Sequence, residues 1–222
     1  TGAGLKEIKE GTAVYTKNGE EDTLDGDAIL LATGRGPNTE GLHAERAGVE
    51  LTKRGAVVTD KHLRTTAENI WAAGDVCGNL QFTYISLDDS RIILSDMQGD
   101  GSRTTENRGA FAYSVFMEPS FSRVGLSEKE AADKGLNYRV VRMNTDMIPK
   151  AKVLRKTTGM LKAVIDKDSG KIFGAALFCP ESYEIINMVK LAMDHDLDYT
   201  VLRDFIYTHP TMSEGLNDLF AL

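Results

Sequence analysis

Near its C-terminus the chain reads Tyr207-Thr208-His209-Pro210-Thr211-Met212-Ser213-Glu214. A carboxylate five residues after an imidazole can accept a hydrogen bond from one ring nitrogen. That bond fixes the tautomer and leaves the other nitrogen ready for proton transfer. An acid/base pair of this kind needs a reacting group, and a histidine beside a proline reads equally well as a capped helix start. Two further stretches could meet a ligand. In "LLATGRGPN", Gly34 follows a short apolar run and allows close backbone approach, with Arg35 as a charge partner. In "IWAAGDV", Gly74 opens a strand end and Asp75 places a carboxylate where a sugar hydroxyl can donate to it. Taken alone, each is as well explained as a strand exit or a turn.

The remaining chemistry-bearing residues narrow the choice. Cys77 and Cys179 stand far apart and form no CxxC or CxxxxC arrangement, so neither a disulfide framework nor a zinc site is expected. Cysteines this sparse suit a reducing, cytoplasmic setting. His43, His62 and His195 have weaker company; the "MDHDLD" run around His195 lacks EF-hand spacing and reads as a solvated helix end. No metal site is expected. Gly2-Ala3-Gly4 is a poor dinucleotide fingerprint, because no strand precedes it and Glu7 stands at the third glycine position. The 222 residues are 41% apolar and 27% charged, with a net charge of −7, the balance of a soluble globular protein. An acidic chain lacks the basic footprint that nucleic acid attracts. Its apolar runs are too short to span a bilayer, and no secretory leader is visible.

The elements that must position these residues are legible from period and punctuation. Asn18-Gly19 predicts a hairpin turn. Ala28–Ala32 predicts a strand buried on both faces. "GAVVTD" and "NIWAAGDV" predict two more strands. From Ser86 onward, Leu87, Ile92, Ile93 and Met97 suit an amphipathic helix ending near Gly99. The polar segment 102–109 reads as a linker. After it come a strand bent at Pro119, and a helix capped by Ser127 and Glu130 with Gly135 at its end. A strand over "YRVVRM" and a hairpin around Asp168–Gly170 follow. A helix then places Ile185, Ile186, Val189, Ala192 and Met193 on one face. Another starts at "YTVLRDFIY", and a last one has Ser213 as its cap. The second half is therefore α+β, and the first half is an open α/β sheet lacking its beginning.

The order "LLATGRGPN", "IWAAGDVCG", then "HPTMSE" resembles the pyridine nucleotide-disulfide oxidoreductases, which include glutathione reductase, dihydrolipoamide dehydrogenase and mercuric reductase. The resemblance covers the whole chain but only the C-terminal half of a family member. It implies closing strands of an NAD(P)-binding domain over 1–36, a returning segment of an FAD-binding domain over 37–105, and an α+β dimerisation domain over 106–222. Gly34 would lie beside the nicotinamide dinucleotide, and Gly74 with Asp75 would hold the ribityl chain of FAD. Phe82, Thr83 and Tyr84 would pass the flavin ring, with Thr83 making a backbone contact. His209, oriented by Glu214, would be the acid/base for redox thiols, reaching across a homodimer to the partner's flavin and cysteines. A cis His209–Pro210 bond is also implied. The family passes a hydride from NAD(P)H through FAD and a CxxxxC disulfide to an oxidised small molecule. Here that disulfide and both nucleotide fingerprints are missing from the sequence.

"QFTYISLDDSR", "YSVFMEPSFSRVG" and "FIYTHPTMSEGLNDLF" resemble the bacterial branch linked to reactive-chlorine stress, whose relatives reduce hypothiocyanous acid. Two alternatives stand beside it. One is a dihydrolipoamide dehydrogenase-, glutathione reductase- or mercuric reductase-like enzyme. The other is a dimerisation scaffold with no catalysis and no retained cofactor of its own.

Overall fold

In the computed structural model, which describes residues 2–222, strands β1 (Ala3–Lys9), β2 (Thr12–Lys17) and β3 (Glu20–Asp25) form an antiparallel meander. Asn18 and Gly19 join β2 to β3 with φ of 54° and 87°, the left-handed pair that a tight two-residue hairpin requires. This meander belongs to the first of two structural units, which ends at Ile93; the second is Leu94–Leu222.

Beyond β3 the first unit is mostly irregular, and three expected strands are not formed. Ala28–Ala32 has no strand partner among the described residues, and Leu30 and Leu31 stay 89% and 65% exposed. A wholly apolar run is stable as a strand only when neighbours cover both of its edges and both of its faces. "GAVVTD" and "NIWAAGDV" contribute single bridges, Leu51 to Val57 and Arg64 to Trp71. The second of these segments ends in a short 3₁₀ turn at Gly74–Cys77. Two small apolar clusters, one around Ala44, Val49 and Val57 and one around Leu63, Cys77 and Ile92, hold this region.

Helix α1 (Thr83–Gln98) begins three residues before the expected Ser86 and buries Ile85, Asp88, Asp89 and Ile92. Leu87 and Met97, expected on its inner face, are exposed. The rotation has a polar cause: the buried carboxylate of Asp89 accepts the Gly74 N–H at 2.8 Å. A hydrogen bond to a buried carboxylate outweighs covering one more leucine.

The second unit is a five-stranded antiparallel sheet in the order β4 (Ala112–Val115), β5 (Phe121–Gly125), β8 (Ile172–Phe178), β7 (Met160–Asp166), β6 (Tyr138–Asn144). The segment expected as one strand bent at Pro119 is two strands, β4 and β5, paired antiparallel about a cis Glu118–Pro119 bond. Helix α2 (Glu128–Asp133) carries the expected capping box. Hydrogen bonds from the Ser127 side chain and backbone, then the Arg123 charge, hold the Glu130 carboxyl down at about 2. Gly135 follows with φ of 65°, and the Gly135 and Leu136 N–H groups close back onto Ala132 and Ala131. The sequence reading missed helix α3 (Pro149–Leu154), whose signal was a proline at its first position.

Helix α4 (Ser182–Asp194) lays Ile185, Ile186, Val189 and Ala192 on the sheet, as its period predicts. Its start is tied down by a chain of buried hydroxyls. Ser182 is 2.8 Å from both Ser120 and Ser122, and Ser122 is 2.8 Å from Ser114. Helix α5 is only Thr200–Arg203, shorter than the expected run through "YTVLRDFIY". Helix α6 (Gly215–Ala221) closes the chain with Leu216, Leu219 and Phe220 in the same core as Leu161, Ile165 and Leu177.

Strand β8 sits between β5 and β7 because Gly174 lets the chain at Leu126 pass over it. A Cβ there would fall within bonding-forbidden distance of the Leu126 backbone oxygen and nitrogen. Gly174→Ala is expected to destabilise by about 1–3 kcal/mol, as overpacking does. Thermal unfolding of the chain should then shift down by roughly 2–12 °C, and an unchanged midpoint would contradict this packing.

Candidate functional site

The His209–Glu214 pair is built by the anchoring of α6. Leu216, Leu219 and Phe220 are fully buried, so the residue just before the helix, Glu214, is carried to the edge of the core. Its carboxylate does not cap the helix. Oε2 instead accepts a hydrogen bond from Nδ1 of His209 at 2.8 Å. A carboxylate only accepts here, so the proton of the neutral imidazole sits on Nδ1 and Nε2 is left as the acceptor. Glu214 is 13% exposed and His209 70%, so the orienting group is sheltered and the working group faces out. The other oxygen of Glu214, Oε1, is buried with no hydrogen-bond partner among the described residues. The His209–Pro210 bond is cis.

The connecting turn is held by Thr211 rather than by Ser213, the expected cap. The Thr211 hydroxyl donates to the Thr208 carbonyl at 2.7 Å and accepts the Glu214 N–H at 3.3 Å. The Ser213 hydroxyl bonds to Thr211 at 3.2 Å instead. Thr211 sits three residues before Glu214, with the reach to take that N–H, and this spacing was the available signal. Chemically the pair can take a proton at Nε2 while Glu214 stabilises the imidazolium, and return it to a departing group.

In the first unit, Arg35, Ala73, Gly74, Asp75, Gln81, Thr83 and Ser86 line a cleft of about 440 Å³. Gly74 has φ of 74°, and a Cβ on it would meet the Ser86 hydroxyl at 2.7 Å, so only glycine fits. The Asp75 carboxylate is half exposed and pairs with Arg35 at 3.0 Å, while the same guanidinium donates to the Gln81 carbonyl at 3.1 Å. Thr83 and Tyr84 open α1, where the first N–H groups have no acceptor in the helix itself. An exposed carboxylate, a Cβ-free backbone and a helix N-terminus in one cleft fit a ligand that carries hydroxyls and an electron-rich ring edge. Phe82 and Tyr84 flank this stretch, partly and largely exposed. Gly34, with φ of 109°, has open space around it and does not end a strand.

The structure thus brings together Gly74, Asp75 and Thr83 in one unit, and His209 with Glu214 in the other. Ser86 was missed as part of the cleft, and Asp89 as the buried acceptor of the Gly74 N–H beside it. The signal for Asp89 was a pair of adjacent carboxylates, Asp88-Asp89, inside an otherwise amphipathic helix. No cluster of three or more metal-ligating side chains occurs among the described residues. No helix among them is long and apolar enough to cross a membrane.

Comparison with known proteins gives two family matches. The dimerisation domain of the pyridine nucleotide-disulphide oxidoreductases matches residues 111–220, and the pyridine nucleotide-disulphide oxidoreductase model matches residues 1–90. The chain is 52% identical, over 91% of its length, to the probable pyridine nucleotide-disulfide oxidoreductase RclA of Escherichia coli, and covers 46% of that protein. It is 36% identical, over 92% of its length, to a mercuric reductase of Staphylococcus aureus, and covers 38% of it. The chain therefore spans less than half the length of these relatives. A solved structure of the HOCl-induced flavoprotein disulfide reductase RclA from E. coli superposes with a TM-score of 0.87 at 48% identity, over 96% of this chain and 49% of that one.

Both cysteines are free and buried. Cys77 is packed with Leu63 and Ile92 in the first unit. Cys179 is fully buried in the second, and burial, then the charge of Glu181, push its thiol up to about 12. At pH 8 it stays protonated, and as pH rises it ionises only near the top of the scale. Native protein should leave Cys179 unmodified by iodoacetamide at pH 8 and take up the label there after unfolding in guanidinium. Mass spectrometry showing rapid native labelling of Cys179 would contradict its burial.

Proposed function

Because the chain belongs to the pyridine nucleotide-disulphide oxidoreductases, we propose that it supplies the acid/base pair, part of the flavin cleft and the dimer-forming domain of a FAD-dependent NAD(P)H oxidoreductase. The observation that carries this reading is the 2.8 Å bond from Nδ1 of His209 to a sheltered Glu214, with the rest of the ring exposed. That geometry suits a reacting group brought from outside the chain. In this reading the group is a cysteine thiol of a redox disulfide, and the imidazole of one subunit serves the flavin and thiols of its partner. Residues 106–222 form the homodimer interface, 1–36 close the NAD(P)-binding domain and 37–105 return to the FAD-binding domain. The setting is the cytoplasm.

The residues present fit FAD. The Asp75 carboxylate would accept a ribityl hydroxyl, Gly74 would keep the backbone clear, and the Thr83 N–H at the start of α1 would face the ring, with Phe82 and Tyr84 beside it. Gly34 would lie beside the nicotinamide dinucleotide. Bound FAD supplies two-electron transfer from NAD(P)H to the disulfide. His209 would take a cysteine's thiol proton at Nε2 and return it to the group that departs when the resulting thiolate attacks the oxidised substrate. Glu214 holds the Nδ1 proton and the ring direction throughout. A relative described as an HOCl-induced flavoprotein disulfide reductase supports a part in reactive-chlorine stress, and the resemblance of the sequence to that branch puts hypothiocyanous acid first as substrate.

In the holoenzyme that carries these residues, His209→Ala should lower turnover of the oxidant by about 10²–10⁴-fold. Glu214→Gln, which keeps an acceptor but removes the charge, should lose less. Turnover of hypothiocyanous acid that His209→Ala leaves unchanged would overturn the acid/base role.

A further inference from the structure

His209 is exposed, and residues 204–214, which carry it, form neither helix nor strand. Packing of the ring therefore does little to aim it. The segment is instead fastened at both ends to one backbone atom, the carbonyl oxygen of Leu202. Two residues before His209, the Tyr207 hydroxyl donates to that oxygen at 3.1 Å. Three residues after Glu214, the side-chain amide of Asn217 donates to the same oxygen at 3.1 Å, and also to the carbonyls of Arg203 at 2.7 Å and Phe205 at 3.0 Å.

Leu202 and Arg203 end helix α5, where the last carbonyls lack helical donors. The Asn217 amide fills that role from α6, so one side chain caps α5 and locks it to the helix that carries Glu214. The orientation of the amide is forced, since all three of its neighbours are acceptors. Aspartate at 217 would turn a carboxylate toward three carbonyls, and serine would be too short to reach them. The tyrosine tether is equally constant: burial pushes the Tyr207 hydroxyl up to about 12, so it remains a donor across the working pH range.

We propose that Tyr207 and Asn217 are positioning residues for the acid/base pair, fixing His209 and Glu214 relative to each other through their shared acceptor, the Leu202 carbonyl. This rests on the reading of His209 as the acid/base, and it makes the tautomer of His209 depend on two side chains that touch neither the ring nor the substrate. With either tether removed, the loop that carries His209 moves relative to the anchored α6, the Nδ1–Oε2 bond lengthens, and the proton redistributes between Nδ1 and Nε2.

The test uses Tyr207→Phe, which deletes one hydroxyl, and Asn217→Leu, which keeps the size and deletes the donors. Long-range ¹⁵N–¹H spectra of the chain report the His209 tautomer directly, without cofactor or turnover. The wild type should show one dominant Nδ1–H form, and each variant a mixed population. In the holoenzyme, each variant should lower kcat by roughly 10–100-fold, the scale of a small misplacement of a reacting group, with a displaced pH–rate profile and an unchanged KM for NAD(P)H. A folded Tyr207→Phe protein with the wild-type tautomer and pH profile overturns the proposal, and that variant decides alone if Asn217→Leu does not fold. The two claims separate cleanly. If His209→Ala keeps full turnover while the tautomer shifts in the variants, positioning stands and the acid/base reading falls. If His209→Ala is inactive and the tautomer does not shift, the reverse holds.

Discussion

Burial of one face of α6 is the constraint on which the candidate site rests. Leu216, Leu219 and Phe220 enter the core that Leu161, Ile165 and Leu177 build on the sheet. Burying three large side chains is worth several times any single hydrogen bond at the surface. The helix therefore cannot slide or rotate without exposing them. Glu214 stands at its first turn and inherits that rigidity, and Asn217 inherits it one turn on. An exposed imidazole can then be aimed by a fixed carboxylate, although its own surroundings are solvent.

The two units solve opposite problems. The second has a continuous sheet, a single large core and helix starts secured by paired hydroxyls or a capping box. It can therefore hold a side chain to within a narrow range of positions. The first has two small clusters and much exposed apolar surface, including Leu30 and Leu31. Its ordered feature is local: the Gly74 N–H bonded to Asp89, with Ser86 filling the space a Cβ would need. That contact ties the Gly74-Asp75 turn to the start of α1. It brings a carboxylate and a helix N-terminus to the same cleft.

What could be read in advance followed the range of the forces involved. The Asn18-Gly19 hairpin, the Ser127–Glu130 capping box, the Gly135 termination and the buried face of α4 are set by residues within four positions of one another, and all four stand as expected. The mistaken elements depend on distant partners. Ala28–Ala32 has strand composition but no neighbour to pair with. The Pro119 segment reads as one bent strand because nothing local shows that β5 returns beside β4. Leu87 and Met97 lie outside because Asp89 is drawn inward by an N–H fifteen residues away.

By itself, the sequence determined which residues could act: His209 with a carboxylate five positions on, glycines that free the backbone for close approach, and two cysteines in no CxxC or CxxxxC pair. Those are properties of residue type and short spacing, and the order of the motifs carried the family with them. Only the tertiary structure decided that Glu214 points at the ring instead of capping its helix, that Thr211 rather than Ser213 holds the turn before that helix, and that Asp75 shares its charge with Arg35. It also decided that Tyr207 and Asn217 meet on one carbonyl. Each of these depends on where a buried helix or a distant loop comes to rest, and that is set by the sum of many core contacts that no local pattern records.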